Sequence, residues 1–152
     1  MSKPTHSKTY YWLPAIGWAI AIYIFSTHAF ASGNTSRFII PLLKWLMPNA
    51  TAAELFAAHG VIRKVAHFVE YFILSVLVFR ALRGAATGWR FAWSFWTLAL
   101  VVGYAALDEV HQMFVPTRGA SPYDVMIDSA GALTAQVFLL LLHRYVLRRE
   151  PC

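Results

Sequence analysis

The chain has very little cysteine, little charge and few acids, and each shortage excludes something. Its one cysteine, Cys152, has no partner, so neither an intrachain disulfide nor a cysteine-based metal site can form. Lys, Arg, Asp and Glu together make up 13% of the 152 residues, too few to cover a domain of this size with a water-facing surface. Hydrophobic residues reach 59%, aromatics 16%, and mean hydropathy is +0.53. Lipid must therefore solvate part of the surface, and the length fits a single domain over residues 1–152. A net charge of +6 would suit nucleic acid if the basic residues formed a stripe. They lie instead between and beside apolar runs, which reports membrane orientation and excludes a nucleic-acid role.

Four apolar segments predict an all-α membrane bundle of about four transmembrane helices. No Lys, Arg, Asp or Glu occurs from Thr9 to Ser36, a run longer than the roughly 20 residues that cross about 30 Å of hydrocarbon. Helix 1 is placed at about 11–31. Lys3, Lys8 and the small-residue string Ala29-Phe30-Ala31 also resemble a signal peptide, but the run exceeds the usual apolar region of about 7 to 15 residues, favouring an uncleaved anchor. Helix 2, about 65–82, carries His67, Glu70 and Arg80, with a wholly apolar centre from Tyr71 to Phe79. Arg80 can snorkel from its end. Helix 3 is expected at about 91–110 and helix 4 at about 123–142. In the first loop, Phe38 to Met47 reads as a short interfacial helix with Trp45 at the headgroup boundary. Thr51-Ala-Ala-Glu54 is a capping box opening a second short helix, expected to stop near Gly60.

Four spans put Lys3, Lys8, Arg80, Arg83, Arg90, Arg144, Arg148 and Arg149 on one side, against Arg37, Lys44, Arg63, Lys64 and Arg118 on the other. The excess places both termini in the cytoplasm. Every acid except Glu150 then falls toward the outer face. Acids hardly influence insertion, so their crowding there needs another cause.

Three polar patches supply one. Arg63, His67 and Glu70 are spaced by four and three residues and share a helical face, with Lys64 and Tyr71 close beside it. Asp108, Glu109, His111 and Gln112 close helix 3. Arg118 precedes Ser121-Pro122-Tyr123-Asp124, which opens helix 4, and Asp128 follows one turn deeper. An ionisable group in a span costs about 2.5 to 3.5 kcal/mol on insertion scales, so these residues should pair or line a watery cavity.

The strings Arg63-Lys64-Val-Ala-His67-Phe-Val-Glu70-Tyr71, Asp108-Glu109-Val-His111-Gln112-Met-Phe-Val-Pro116-Thr-Arg118 and Asp124-Val-Met-Ile-Asp128-Ser-Ala-Gly131 resemble the VanZ-like membrane protein family, in the right order. Helix 1 resembles it only in ending with Phe25-Ser26, and Thr27-His28 departs from the usual polar pair. The resemblance implies a multi-pass protein of the bacterial cytoplasmic membrane. The family's name-giving member is associated with resistance to the glycopeptide antibiotic teicoplanin, and no settled activity comes with the family.

Each patch has a functional reading and a plainer one. His67 and Glu70 could ligate a divalent cation with Asp108, Glu109 or Asp128, since imidazole and carboxylate suit zinc, manganese or iron; the alternative is a buried network neutralised by Arg63 and Arg118. Asp124 fits the start of a helix capped by Ser121, near the positive dipole end. Asp128 has no such capping role and is the strongest single functional candidate. Arg118 could hold a phosphate or carboxylate, or pair with Asp108 or Glu109. Gly131 and Ala135 are spaced for close helix packing.

The binding candidates are thus Arg63, Lys64, His67, Glu70, Tyr71, Asp108, Glu109, Gln112, Arg118, Asp124 and Asp128. The expected ligands are membrane lipids, an anionic lipid head group, a lipid-linked cell-wall precursor or a lipidated glycopeptide. The competing reading is an intramembrane hydrolase or transferase acting on lipid, with His67, Glu70 or Asp128 catalytic. A third leaves the cluster a purely structural role. Whether the chain is an enzyme, needs a cation or oligomerises is open at this level.

Overall fold

A computed structural model describes residues 7–27, 32–115 and 121–149, and among these the chain is entirely helical. Five helices follow in order: α1 (Lys8–Phe25), α2 (Ser32–Leu46), α3 (Ala52–Arg83), α4 (Phe91–Met113) and α5 (Pro122–Arg149). The expected end of the first helix, residues 28–31, lies outside the described residues, as does the segment 116–120 that carries Arg118.

The helix starts follow local chemistry. Thr51 caps α3 as expected: the Glu54 amide donates to Thr51 Oγ1 at 3.3 Å, while the Thr51 amide donates to the Glu54 carboxylate at 2.7 Å. That helix does not stop near Gly60. It runs unbroken to Arg83, so the expected short helix and helix 2 are one element of 32 residues. An interior glycine costs only about 1 kcal/mol, and the segment around Gly60 is held by packing, with Leu55 and His59 buried and Thr35 Oγ1 3.3 Å from His59 Nε2. At about 1.5 Å per residue α3 is roughly 48 Å long, well beyond a hydrocarbon core of about 30 Å. Its first turns therefore project past the span, where α2 packs on them. The α2 helix likewise starts earlier than expected and passes through Pro41. It turns Phe38, Leu42, Trp45 and Leu46 outward and keeps Leu43 buried, the pattern of a helix lying in an interface.

The α3 helix is the axis of the bundle, in contact with each of the other four and most extensively with α5. The α3–α5 seam is built from small and polar residues. A Cβ on Gly131 would collide with the Phe68 carbonyl oxygen, so only glycine lets the two backbones come this close. Ala132 and Ala135 are fully buried beside it. One turn on, the Ser75 hydroxyl donates to the Ala132 carbonyl at 3.0 Å and the Gln136 amide donates to Ser75 Oγ at 2.8 Å. Two more bonds tie α1 in: the Trp18 indole donates to the Glu70 carbonyl at 2.9 Å and the Tyr104 hydroxyl to the Ala19 carbonyl at 2.7 Å.

The polarity is inverted relative to a water-soluble bundle. Large apolar side chains such as Leu13, Ile20, Phe95, Leu107 and Leu141 face outward, while Asp108, Gln112, Asp128 and Gln136 are buried. Among the described residues three helices are long and apolar enough to cross a membrane: α3, α4 and α5 as far as Val146. The first helix, expected as a fourth span, is not among them. Its 18 residues include Lys8, Tyr10, Tyr11, Trp12, Trp18 and Tyr23.

The seam yields a direct prediction. Gly131→Ala should lower the thermal midpoint in detergent, with a cost of about 1–3 kcal/mol for overpacking, whereas Gly103→Ala, where an added Cβ meets nothing within 4 Å, should not. Equal behaviour of the two variants would contradict the close approach of α3 and α5.

Candidate functional site

The ends of α1, α4 and α5 that carry the polar patches meet at one level of α3. From α3, His67 is buried and Arg63 and Glu70 half-buried on one face, as the spacing predicts. Lys64 is exposed and does not line the cavity described below; Tyr71 turns inward, 0% exposed, with its ring 6.4 Å from that of Tyr104.

From α5, Asp128 meets α3. Its Oδ1 lies 3.3 Å from His67 Nδ1, an ion-pair distance, and neither atom has a hydrogen-bond partner among the described residues. The two face each other because Gly131, three residues on, brings α5 onto Phe68.

From α4, Asp108 and Gln112 are one turn apart and both buried. The Gln112 amide donates to Asp108 Oδ2 at 2.9 Å, and the Ser26 hydroxyl, at the end of α1, donates to the same oxygen at 2.8 Å. Gln112 Nε2 also stands 3.5 Å from Ser26 Oγ. Glu109 points elsewhere: its carboxylate accepts the amide of Ser121, the residue preceding α5. Ser121 in turn caps that helix, its hydroxyl accepting the Tyr123 amide at 3.3 Å. Asp124 occupies the first turn, half-buried, where a carboxylate opposes the helix dipole. His111 leaves the cluster and packs against Tyr23, ring centroids 4.9 Å apart.

These groups come from separate helices and form two sets, His67 with Asp128 and Ser26 with Asp108 and Gln112. Both sets lie at the level of α3 that carries Glu70.

A cavity of about 250 Å³ opens beside it, bounded by α1, α2 and α3. Phe25, Ile39, Ile62 and Ala66 make it mostly apolar, and Ser26, Thr35, Arg63, His67 and Glu70 supply the polar part. Two of these lead inward, Ser26 to Asp108 and His67 to Asp128. Among the described residues no three His, Cys, Asp or Glu side chains are grouped so as to hold a metal ion. Arg118 lies outside the described residues.

Ser26 is the residue that reasoning from charge misses. It is a neutral side chain at the end of an apolar run, 2% exposed, and in the structure it joins α1 to Asp108 of α4. The only signal for it in the sequence is the Phe25-Ser26 pair that resembles the family's first helix.

Comparison with protein-family models gives a match to the family described as VanZ/LLP1 over residues 11–143, most of the chain and all three polar patches. Comparison with curated proteins and with solved structures gives no match.

If Ser26 and Asp108 form one unit, their effects on stability are not additive. Ser26→Ala, Asp108→Asn and the double variant, compared by thermal unfolding in detergent, should show a coupling of about 0.6 to 2 kcal/mol, the range of interhelical hydrogen bonds in membranes. Strict additivity would mean that the α1–α4 contact does not exist in the bilayer-derived protein.

Proposed function

The chain belongs to the VanZ/LLP1 family, and we propose that it binds an amphiphile with a charged head in the cavity between α1, α2 and α3. The class comprises an anionic lipid, a lipid-linked cell-wall precursor or a lipidated glycopeptide, and the activity is linked to teicoplanin-type resistance. The observation that carries this reading is the make-up of the cavity. One side is hydrocarbon (Phe25, Ile39, Ile62) and the other presents Arg63 with Glu70 and His67. An arginine fork suits a phosphate or carboxylate, and neighbouring acids suit hydroxyl or amine groups of the same head. The interfacial α2 forms one wall, which puts the opening at headgroup depth.

On this reading α1 is a fourth span. Its 18 residues give a length of about 27 Å, close to the hydrocarbon thickness, and its tyrosines and tryptophans serve as headgroup anchors. The distribution of basic residues then puts both termini in the cytoplasm and the cavity at the outer face of the bacterial cytoplasmic membrane.

A second reading, an intramembrane hydrolase or transferase acting on a lipid, is favoured by one observation. His67 lines the cavity while its Nδ1 faces the buried Asp128 carboxylate, the arrangement in which an acid orients a general base. In that reading Arg63 holds the anionic group, and His67, Glu70 and Asp108 are the donors that would suit a divalent cation.

Asp128→Asn and His67→Ala separate a site from simple packing. In a susceptible bacterium made resistant by this chain, each variant should restore susceptibility to teicoplanin while its folded yield in detergent stays near that of the parent. Loss of yield in step with loss of resistance would assign the cluster to packing alone. Turnover of a head-group-labelled lipid by the parent, abolished in His67→Ala, would replace the binding reading with the enzymatic one.

A further inference from the structure

At the other end of the bundle lies a larger cavity, about 460 Å³, between the end of α3, the α3–α4 link and the last turns of α5. Its apolar wall is Phe79, Leu139, Leu142 and Val146, and its polar rim includes Arg83, Trp89 and His143. The link is shaped by glycine: Gly84 and Gly88 have φ of 56° and 85°, the only positive values among the described residues. Gly84 ends α3 and Gly88 returns the chain so that Trp89 folds back over Phe79, with ring centroids 4.6 Å apart. Trp89 also stacks with His143 at 5.8 Å. Held from two helices, the indole is fixed in place, yet its buried N–H has no acceptor among the described residues.

Among the described residues the surrounding charge is of one sign. Arg80 lies over the Tyr10 ring, 5.7 Å from its centre, and Arg90 over Trp93 at 5.4 Å, so both are engaged with aromatic faces. Arg83 has no acid beside it among the described residues. The described acids, Glu54, Glu70, Asp108, Glu109, Asp124 and Asp128, all lie toward the opposite end. A cavity with a hydrocarbon wall, an unanswered cation and an unanswered N–H donor fits an acceptor-rich anion attached to an apolar chain.

The geometry points to a second binding site at this end, taking the phosphate of an anionic glycerophospholipid between Arg83 and the Trp89 indole, with an acyl chain along Phe79, Leu139 and Leu142. This site shares no residue with the cavity between α1, α2 and α3 and stands or falls separately from the function proposed for that one. Arg83, exposed at the rim, supplies the charge and Trp89 the directional hydrogen bond, and both line the same cavity with Gly88 between α3 and α4.

Native mass spectrometry of the full chain in detergent, with phosphatidylglycerol, phosphatidylcholine or glycerol phosphate added, tests the site. The parent should retain phosphatidylglycerol in preference to phosphatidylcholine and should not retain glycerol phosphate. Arg83→Gln should weaken phosphatidylglycerol retention by about fivefold, the worth of one basic side chain near an anionic surface. Trp89→Phe, which keeps the ring on Phe79 and deletes the N–H, should weaken it as well. Arg37→Gln removes the same charge from an exposed position on α2 and should leave retention unchanged. Equal retention of the two lipids, retention of glycerol phosphate alone, or equal loss in Arg37→Gln and Arg83→Gln would overturn the assignment.

Discussion

The approach of α5 to α3 at Gly131 is the constraint on which the rest of the site depends. Removing the side chain there lets a backbone carbonyl of α3 sit where a Cβ would be. That one contact fixes the rotation and depth of α5 against the central helix. Toward one end it sets Asp128 opposite His67; toward the other it brings Ala132 and Gln136 to Ser75. In lipid, where burying apolar surface drives helices together far less than in water, such close packing and interhelical hydrogen bonds supply most of the association energy. The same contact thus serves stability and places the buried acid.

The two deepest acids are handled differently. Asp108 accepts hydrogen bonds on Oδ2 from two side chains, Ser26 and Gln112, while its Oδ1 has no such partner among the described residues. Among the described residues Asp128 has only the imidazole of His67 at ion-pair distance. An acid held by a single titratable partner beside a cavity is less settled than a capped one. It is the kind of group that a ligand or a proton can reorganise. Glu109 and Asp124 belong to neither category, since both are occupied with starting α5. The polar residues left free of a role in starting helices are therefore fewer than those brought together.

Much of this was legible in the sequence for identifiable reasons. The starts of α4 at Phe91 and α5 at Pro122 follow from an abrupt change in hydropathy and from a Ser-Pro helix start, and the Thr51–Glu54 capping box opens α3. The common level of the three patches follows from helices that alternate in direction. The continuity of α3 through Gly60 was not legible, because a glycine and a change of polarity read locally as a stop, while the packing of α2 against Leu55 and His59 that overrides them is a tertiary effect. The upstream reach of α2 was hidden for a similar reason, since Ser32 to Ser36 is polar and Pro41 interrupts the pattern. The separation of Lys64 from Arg63 depends on the rotation of α3 by one residue, which spacing alone does not resolve. Ser26 carries no charge to draw attention to it. The cavity's apolar wall comes from Phe25 and Ile39, residues indistinguishable in sequence from lipid-facing ones.

The central claim is that acids from α4 and α5 and the histidine of α3 converge in one environment, and chemical cross-linking within the membrane reads that convergence directly. In a Cys152→Ser background, His67→Cys paired with Asp128→Cys should be joined by a short thiol-reactive linker. After denaturation neither sulfur should then accept an alkylating label. The pair Lys64→Cys and Asp128→Cys should stay fully labelled. Two free thiols in the His67–Asp128 pair, in a chain whose folded yield matches the parent, would place α3 and α5 in another register and remove the site.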